Sequence, residues 1–327
     1  MAFEPELDRL FNRGLYELPP HSPNPLPLST LADAVRKNYP GTEVGSFGFP
    51  HGTDCPFRAD ISQGVSVYIN QYTGEILGEQ RGRDLLFYVH QIHIRLLAGK
   101  TGKTIMGIAG VIMILILASG LVLWWRYKRF TVKRNAPLFR FMFDLHAASG
   151  IYSALFLVLL STTGVFIAYE DSLLPWLYKA TETSPIRRVL PSSPHQGSMR
   201  ITPEQALSAA KGALRGANPL DIEFPGDSAD SYYVRMRFPE DLTPGGRSWA
   251  CIEQYTGEVL VAQNSRTAPG PTRMEIMVRA IHTGDIFGLT SKVIMSLSSL
   301  LVVVQAVSGF VIWWERDGKK GRVLPPG

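Results

Sequence analysis

The sequence predicts an integral membrane protein, α-helical in its membrane part, with two small external α/β units related by an internal repeat. Three stretches, residues 104–125, 141–169 and 292–314, are predominantly apolar. Each is long enough to cross a bilayer, which takes about 20 predominantly apolar residues. Between them lie polar stretches, and one passage occurs twice: QYTGEIL at residues 71–77 returns as QYTGEVL at 254–260. Apolar runs and repeated polar segments together define the fold class.

The repeat extends beyond these seven-residue passages. Each copy is followed by a histidine (His93, His282), a glycine (Gly99, Gly288), an apolar helix, a second glycine (Gly120, Gly309) and a Trp-Trp pair (Trp124-Trp125, Trp313-Trp314), and all of these later landmarks recur at the same offset along the chain. Residues at matching places in a repeat are expected to have matching roles. The two histidines are therefore predicted at equivalent positions, at the mouths of two membrane helices.

Basic residues set the expected orientation. Residues 126–140 are rich in lysine and arginine and contain no acidic residue, and the end of the chain is also basic. A short basic segment between two spans is typical of the cytoplasmic side. The polar segments are then periplasmic, and the protein is expected in the bacterial inner (cytoplasmic) membrane. Topology explains the net charge of +5, so the bilayer is an expected partner and nucleic acid is not.

This topology predicts seven parts. They are a first periplasmic unit at 1–89, a histidine segment and span at 90–126, a basic cytoplasmic loop at 127–140, a span at 141–170, a second periplasmic unit at 171–275, a histidine segment and span at 276–315, and a cytoplasmic tail at 316–327. A span ending in Ala168-Tyr169-Glu170 precedes the second unit, whereas Ala2-Phe3-Glu4 stands at the corresponding place before the first. The repeat therefore predicts three spans here and a fourth in the complete protein. A three-span protein with an external N-terminus is the alternative.

The sequence of each periplasmic unit predicts a helix followed by a hairpin. In the second unit, Thr202-Pro203-Glu204-Gln205 has the pattern of a capping box with proline at the first helical position. In the first unit, Ser29 or Thr30 is expected to open the helix. A glycine in each QYTG turn supplies the positive φ of a tight hairpin. The predicted elements are a helix over 28–39 and strands over 65–71, 75–77, 232–238, 248–254 and 258–261.

These features resemble the PepSY domain, and nearly the whole chain resembles the PepSY-associated transmembrane family. The residues that carry the resemblance are the QYTGE hairpins, HTGDIFG at 282–288, the Ser-Gly and Trp-Trp helix ends, Asp144-Leu145-His146 with Gly150, and TGVF at 163–166. Some members of that family look like haem-containing reductases of ferrioxamine-type siderophore iron in bacterial inner membranes. The resemblance therefore implies haem.

Four of the seven histidines lie at predicted membrane boundaries, namely His90, His93, His146 and His282. The other three, His21, His51 and His195, lie in linkers or loops and are expected to be solvated. Two facing imidazoles are what a low-spin b-type haem needs as axial ligands, and an ionisable group at membrane depth usually marks function. His93 and His282 are therefore predicted to bind one haem at the periplasmic side. Alternatively, each merely hydrogen-bonds at the interface.

Further residues complete this predicted cofactor site. His90 lies one helical turn before His93 and has Arg279 as its repeat counterpart, so it is expected to bind a propionate or relay protons, with haem or metal ligation as the alternative. Arg95 and Arg279 are expected to pair with propionates, because arginine forms bidentate bonds to carboxylates. The resemblance implies that His146 ligates a second haem at the cytoplasmic side, where the partner ligand would have to come from the missing span.

Several polar residues point to structure rather than catalysis. Gln305 stands alone in an apolar span and is expected to hydrogen-bond a neighbouring helix, while Ser149, Thr162 and Thr163 are predicted to serve helix packing. Cys55 and Cys251 lie one in each periplasmic segment and are expected to be unpaired, with a disulfide as the alternative. No glycine-rich nucleotide motif is evident. If the protein transfers electrons through the implied haem, the donor must therefore be another protein, a quinol or a soluble flavin.

The leading functional hypothesis is a b-haem electron-transfer protein that reduces a periplasmic ferric complex. The substrate, an iron–siderophore or another periplasmic acceptor, comes from the family resemblance, which makes a haem-dependent ferric reductase the expected enzyme. The alternative is a non-enzymatic PepSY binding or regulatory protein anchored in the membrane, in which the histidines are incidental.

Overall fold

A computed structural model describes residues 3–18, 24–50, 55–62, 64–82, 84–187, 190–193 and 199–320. The chain divides into two compact units, each built from segments distant in sequence. A membrane unit contains His90–Leu174 and Met277–Gly327, and a sheet unit contains Phe3–Val89 and Pro175–Ile276. His21, His51 and His195 lie outside the described residues.

Nine α-helices and eight strands are found in the described residues. The helices are α1 Glu4–Phe11, α2 Arg13–Tyr16, α3 Leu28–Asn38, α4 Leu85–Arg95, α5 Gly99–Tyr127, α6 Leu138–Ala180, α7 Pro203–Ala213, α8 Gly270–Thr283 and α9 Leu289–Lys320. The strands are β1 Val44–Gly48, β2 Phe57–Ile61, β3 Val65–Ile69, β4 Ile76–Arg81, β5 Asn218–Glu223, β6 Tyr232–Arg237, β7 Ser248–Ile252 and β8 Val259–Gln263.

Three helices in the described part of the chain are long and apolar enough to cross a membrane: α5, α6 and the Leu289–Arg316 part of α9. They contain the three apolar runs predicted from the sequence. The helix α6 is longer than its run, with 43 residues, and continues through Pro175. Proline inside a helix removes one backbone hydrogen bond, and Pro175 is also where the chain passes into the sheet unit.

Both polar segments contribute to one antiparallel sheet rather than to two separate units. The strand order is β4-β3-β2-β1-β5-β6-β7-β8. The central pairing joins β1 of the first segment to β5 of the second, with Phe47 opposite Ile222. The two predicted α/β units are therefore joined edge to edge in this sheet. A sheet edge with unpaired N–H and C=O groups readily accepts another strand, and here each half-sheet pairs its edge with the other.

The predicted helices and hairpins are present, with ends shifted by a few residues. The sequence analysis missed β1, β2 and β5. All three lie near the middle of the joined sheet, where side chains such as Phe47, Ala59 and Ile222 are fully buried. Short central strands lack the regular alternation that marks a half-exposed strand.

The core of the sheet unit lies between one face of the sheet and the two helices α3 and α7. Leu31 and Val35 of α3 and Ala206 and Ala210 of α7 are fully buried in it. Their spacing of four residues puts each pair on one helix face. One continuous cluster of buried side chains spans both halves of the sheet.

The two QYTG hairpins make the same hydrogen bonds. In the first, Asn70 N–H donates to Glu75 O and Gly74 N–H to Asn70 O, both at 2.8 Å. In the second, Glu253 N–H donates to Glu258 O at 2.8 Å and Gly257 N–H to Glu253 O at 3.1 Å. Gly74 has φ +74° and Gly257 φ +75°, which confirms the predicted need for glycine.

Helix α7 has the predicted capping box, and it also supplies the cap of α3. Thr202 accepts the Gln205 N–H at 3.3 Å, while Gln205 Oε1 accepts the Thr202 N–H at 2.8 Å. The prediction that Ser29 or Thr30 caps α3 is wrong, because the N-cap is Pro27. The Glu204 carboxylate accepts the Ser29 N–H at 2.7 Å instead. A carboxylate of the second segment thus stabilises a helix start in the first.

We expect Glu204→Ala to lower the free energy of unfolding of the sheet unit by about 1 kcal/mol at neutral pH, as loss of a helix cap does. Desolvation raises the pKa of the Glu204 carboxyl, but hydrogen bonds from the Ser29 N–H, its own N–H and nearby hydroxyls outweigh it and leave this pKa below its ordinary value. The stabilisation is therefore present above about pH 4.3 and is lost as pH falls through the lowered pKa. Chemical denaturation of both proteins across this range measures the difference. If the difference in the free energy of unfolding between the two proteins grew toward low pH, the capping role would be contradicted.

Candidate functional site: a histidine pair in the membrane unit

His93 and His282 face each other in the membrane unit. His93 is in the last turn of α4 and His282 in the last turn of α8. Their ring centroids are 6.0 Å apart and the ring planes differ by 29°. Two imidazoles that bind one metal ion from opposite sides have centres about 6 Å apart, because each metal–nitrogen distance is about 2 Å and each ring nitrogen lies about 1 Å from its ring centre. The observed separation of the two ring centroids matches this distance.

A hydroxyl of α6 orients the His282 ring. Thr163 Oγ1 is 3.0 Å from His282 Nδ1. The same hydroxyl donates its hydrogen to the Leu159 carbonyl at 2.6 Å, so its lone pair is what accepts the Nδ1–H. The Nε2 atom is then the nitrogen with the bare lone pair. Metal-binding histidines are typically held in this way, with the other ring nitrogen donating to an oriented acceptor.

A glycine next to this hydroxyl lets the His282 ring approach α6. A Cβ placed on Gly164 would lie 3.1 Å from His282 Cε1, which is closer than ordinary van der Waals contact. Any larger residue at position 164 would therefore push the ring away from Thr163. The consecutive pair Thr163-Gly164 forms the seat of the His282 ring.

Both histidines of the pair favour the neutral form that metal ligation needs. Burial, and then the proximity of His93, lower the pKa of His282 to about 4. His93 keeps an exposed side, but partial desolvation still lowers its pKa below the ordinary value. Desolvation disfavours the charged imidazolium, so both rings are neutral at physiological pH.

The His146 ring contacts α9 in the same way, through a hydroxyl residue and the glycine that follows it. Its Nδ1 is 3.0 Å from Ser308 Oγ, and that hydroxyl donates to the Val304 carbonyl at 2.6 Å. Gly309 follows Ser308, and a Cβ there would lie 3.3 Å from His146 Cε1. A hydroxyl followed by glycine therefore holds a histidine ring twice in this unit.

Gln305 joins α9 to α6, as the sequence analysis predicted. Its Nε2 donates to the His146 carbonyl at 2.9 Å and to Ser149 Oγ at 2.6 Å. The amide also lies over Gly150, at 3.3 Å from the position of an added Cβ. The face of α6 at Gly150, one turn after His146, is thus occupied by this interhelical contact.

Ion pairs and hydrogen bonds stabilise the segment around His282. Arg279 Nη2 donates to Glu170 Oε2 at 2.5 Å, and Lys292 Nζ lies 3.1 Å from Asp285 Oδ1. Thr283 donates to the other Asp285 oxygen at 2.6 Å. The sequence analysis assigned Arg279 to a propionate. Its pairing with Glu170 gives it a structural partner, and the propionate role stays a prediction.

The remaining predicted site residues lie near the pair. His90 is half-buried on α4, one turn before His93, and Arg95 is exposed two residues after His93. Within the described residues, no group of three or more His, Cys, Asp or Glu side chains is placed to hold a metal ion. Two protein nitrogens on opposite sides fit a metal whose other ligands come from a macrocycle, as in haem.

Asp144 organises the basic loop between α5 and α6. Its side chain is almost fully buried, and Arg140 Nε donates to its two oxygens at 3.0 and 3.1 Å. Arg129 lies 3.7 Å from the same carboxylate. These ion pairs tie Arg129 of the loop and Arg140 of α6 to the buried carboxylate.

Comparison with known proteins shows which family the chain matches. A family model described as the PepSY-associated TM region matches residues 1–316. The chain belongs to this family. None of the curated proteins matches it. As a member of the PepSY-associated TM family with three candidate spans, it is a membrane protein.

Some site residues of this PepSY-associated TM protein were not recognised from the sequence. Thr163 was predicted to pack helices, but it hydrogen-bonds His282. Ser308 and Glu170 were not predicted as site residues. The sequence signal that could have indicated Thr163 and Ser308 is a hydroxyl residue directly before a glycine within a span. Such a pair lies against the ring of His282 and against that of His146. Cys55 and Cys251 are both free thiols, as expected.

Proposed function

We propose that this protein binds one b-type haem between His93 and His282 and transfers electrons to a ferric complex outside the cytoplasm. The observation that carries the proposal is the facing pair of imidazoles, with ring centres 6.0 Å apart. The neutral state of both rings and the hydrogen bond from His282 Nδ1 to Thr163 support it.

Each side chain has a defined task in this proposal. The Nε2 lone pair of His282 and a ring nitrogen of His93 would hold the haem iron. Thr163 fixes the His282 tautomer, and Gly164 keeps the ring in place. When bound, a haem with two histidine ligands supplies one-electron transfer without an open position for oxygen chemistry.

The proposed acceptor is an iron–siderophore or a similar ferric chelate, inferred from family resemblance. Reduction loosens such a complex, because Fe(II) binds hard oxygen ligands more weakly than Fe(III). The electron donor is a quinol, a soluble flavin or another protein. His146, with its seat on Ser308, is proposed as a ligand of a second haem wherever another helix supplies the opposite ligand.

The test is haem content per chain, measured by pyridine haemochrome on detergent-purified protein. We expect about one b-type haem per chain, lost in His93→Ala and in His282→Ala. His90→Ala is the matched control, since this histidine lies on the same helix one turn away and is expected to leave the haem in place. Reoxidation of the reduced haem by a ferric hydroxamate then tests electron transfer.

Other results would change the assignment. Haem retained in both His93→Ala and His282→Ala would refute this site. A colourless protein would favour a non-enzymatic membrane-anchored binding or regulatory protein. Haem that is present but not reoxidised by ferric chelates would leave the cofactor site intact and remove the proposed acceptor.

A further inference from the structure

The segment that follows each histidine of the pair differs in charge between the two copies of the repeat. In the first copy Arg95 and Lys100 follow His93, and both are exposed. In the second copy the corresponding places hold Gly284 and Leu289. The second copy brings its histidine into the pair without these two cations. They are therefore not needed to position a histidine, which leaves them available for binding.

Lys103 is a third cation of this cluster, and the three cations share one carboxylate. Lys103 Nζ lies 2.7 Å from Asp171 Oδ2, and Arg95 and Lys100 also act on Asp171 electrostatically. In the part of the chain that the structure describes, neither Arg95 nor Lys100 has a hydrogen bond or ion pair of its own. All four residues belong to the membrane unit. Three cations around a single carboxylate leave an excess of positive charge beside His93.

The matching lysine of the second copy is neutralised within its own segment. Lys292 corresponds to Lys103 and lies 3.1 Å from Asp285 Oδ1. The place of Asp285 in the first copy is taken by Leu96. The first copy thus gains two cations and lacks one acid relative to the second. The positive-inside rule accounts for the basic residues 126–140 at the other end of α5, and not for these cations.

We propose that Arg95, Lys100 and Lys103 bind the electron acceptor, and that this acceptor is a ferric complex with a net negative charge. The inference rests on the proposed function and deepens it, because the family resemblance does not fix the charge of the acceptor. The ferric ion gains one electron and becomes Fe(II), and the proposed haem supplies that electron. Cations on one side of the histidine pair attract an anionic chelate from a distance and repel a cationic one.

The experiment compares ferric trihydroxamates that differ only in one terminal group. Ferrioxamine B carries a single positive charge, its N-acetyl derivative is neutral, and its N-succinyl derivative carries a single negative charge. Equilibrium dialysis of the radiolabelled compounds against the full chain in uncharged detergent measures binding with or without haem. At low salt we expect the anionic compound to bind at least about tenfold more tightly than the cationic one. The difference should shrink at physiological salt, where charges are screened beyond about 8 Å. Reoxidation of reduced haem should follow the same order.

Two double variants test the residues. Arg95→Gln with Lys100→Gln should abolish the preference for the anionic compound. Arg126→Gln with Lys133→Gln is the matched control, because it removes the same charge from exposed residues. Arg126 is at the other end of α5, about 39 Å from Lys100 by the helix rise. The control pair should keep the preference.

The order of the three compounds on the unaltered chain does not depend on whether a variant folds. Equal binding, no binding, or tighter binding of the cationic compound would overturn the inference. Haem loss from the Arg95 and Lys100 double variant, with the preference unchanged, would assign these cations to haem propionates instead. A colourless chain that prefers the anionic compound would refute the proposed haem and retain the anion site. A haem protein that is reoxidised fastest by the cationic compound would retain the proposed function and refute the anion site.

Discussion

If the proposed haem site is correct, Thr163→Val is expected to weaken haem binding by about 10- to 100-fold, the usual cost of losing the partner of a metal-binding histidine. The substitution keeps the shape of the side chain and removes the hydroxyl that accepts His282 Nδ1–H at 3.0 Å. The ring then loses its fixed tautomer and orientation. Haem retained after gel filtration, and haem transfer to an apo-globin, measure the affinity.

Thr162→Val is the matched control, because Thr162 is the neighbouring threonine and is exposed. Thr163→Ser restores the hydroxyl and should restore haem affinity. We also expect the midpoint potential of the remaining haem to shift in Thr163→Val, which a purely structural role would not produce. Equal haem loss in the Thr162 and Thr163 valine variants would contradict the assigned role.

Phe47→Ala is expected to lower the free energy of unfolding of the sheet unit by about 3–5 kcal/mol, the usual cost of deleting a buried phenylalanine ring. Phe47 is fully buried in β1, opposite Ile222 of β5, and its ring centroid is 5.8 Å from that of Phe224. The cavity left by the ring lies at the pairing that joins the two halves. Chemical denaturation followed by circular dichroism measures the loss.

The matched control is Phe11→Ala, because Phe11 on α1 is 63% exposed and its removal should cost less than about 0.5 kcal/mol. A single cooperative transition in the unaltered protein is expected, since one cluster of buried side chains spans both halves. Two separate transitions, with Phe47→Ala affecting only one of them, would show that the halves fold independently.

The membrane helices were predictable because their signal is local. An apolar run such as residues 104–125 must satisfy its backbone hydrogen bonds within itself in a bilayer, and α5 includes that whole run. The capping box at Thr202 and the glycine turns at Gly74 and Gly257 were predictable for the same reason, since each depends on a few adjacent residues. Helix bounds differed from the prediction mainly where α6 continues into the sheet unit.

The sequence repeat also predicted that two particular histidines occupy equivalent places. His93 and His282 are far apart in the chain, yet equivalent positions in a repeat are often related by approximate symmetry. The structure brings their rings to 6.0 Å. In the sequence, Thr163 differs from Thr162 only in the glycine that follows it, and the packing of α8 against α6 determines which hydroxyl meets His282.

By itself, then, the sequence determined the membrane helices, the two hairpins and the pair of candidate ligands, all through adjacent residues or through self-similarity. Only the tertiary structure decided that β1 and β5 join two polar segments into one sheet, that Glu204 caps a helix distant in sequence, and that Arg279 pairs with Glu170. The physical reason is that a sheet edge, a carboxylate or a guanidinium group can pair with many partners of the same chemistry. Which partner each one meets depends on the packing of the whole chain.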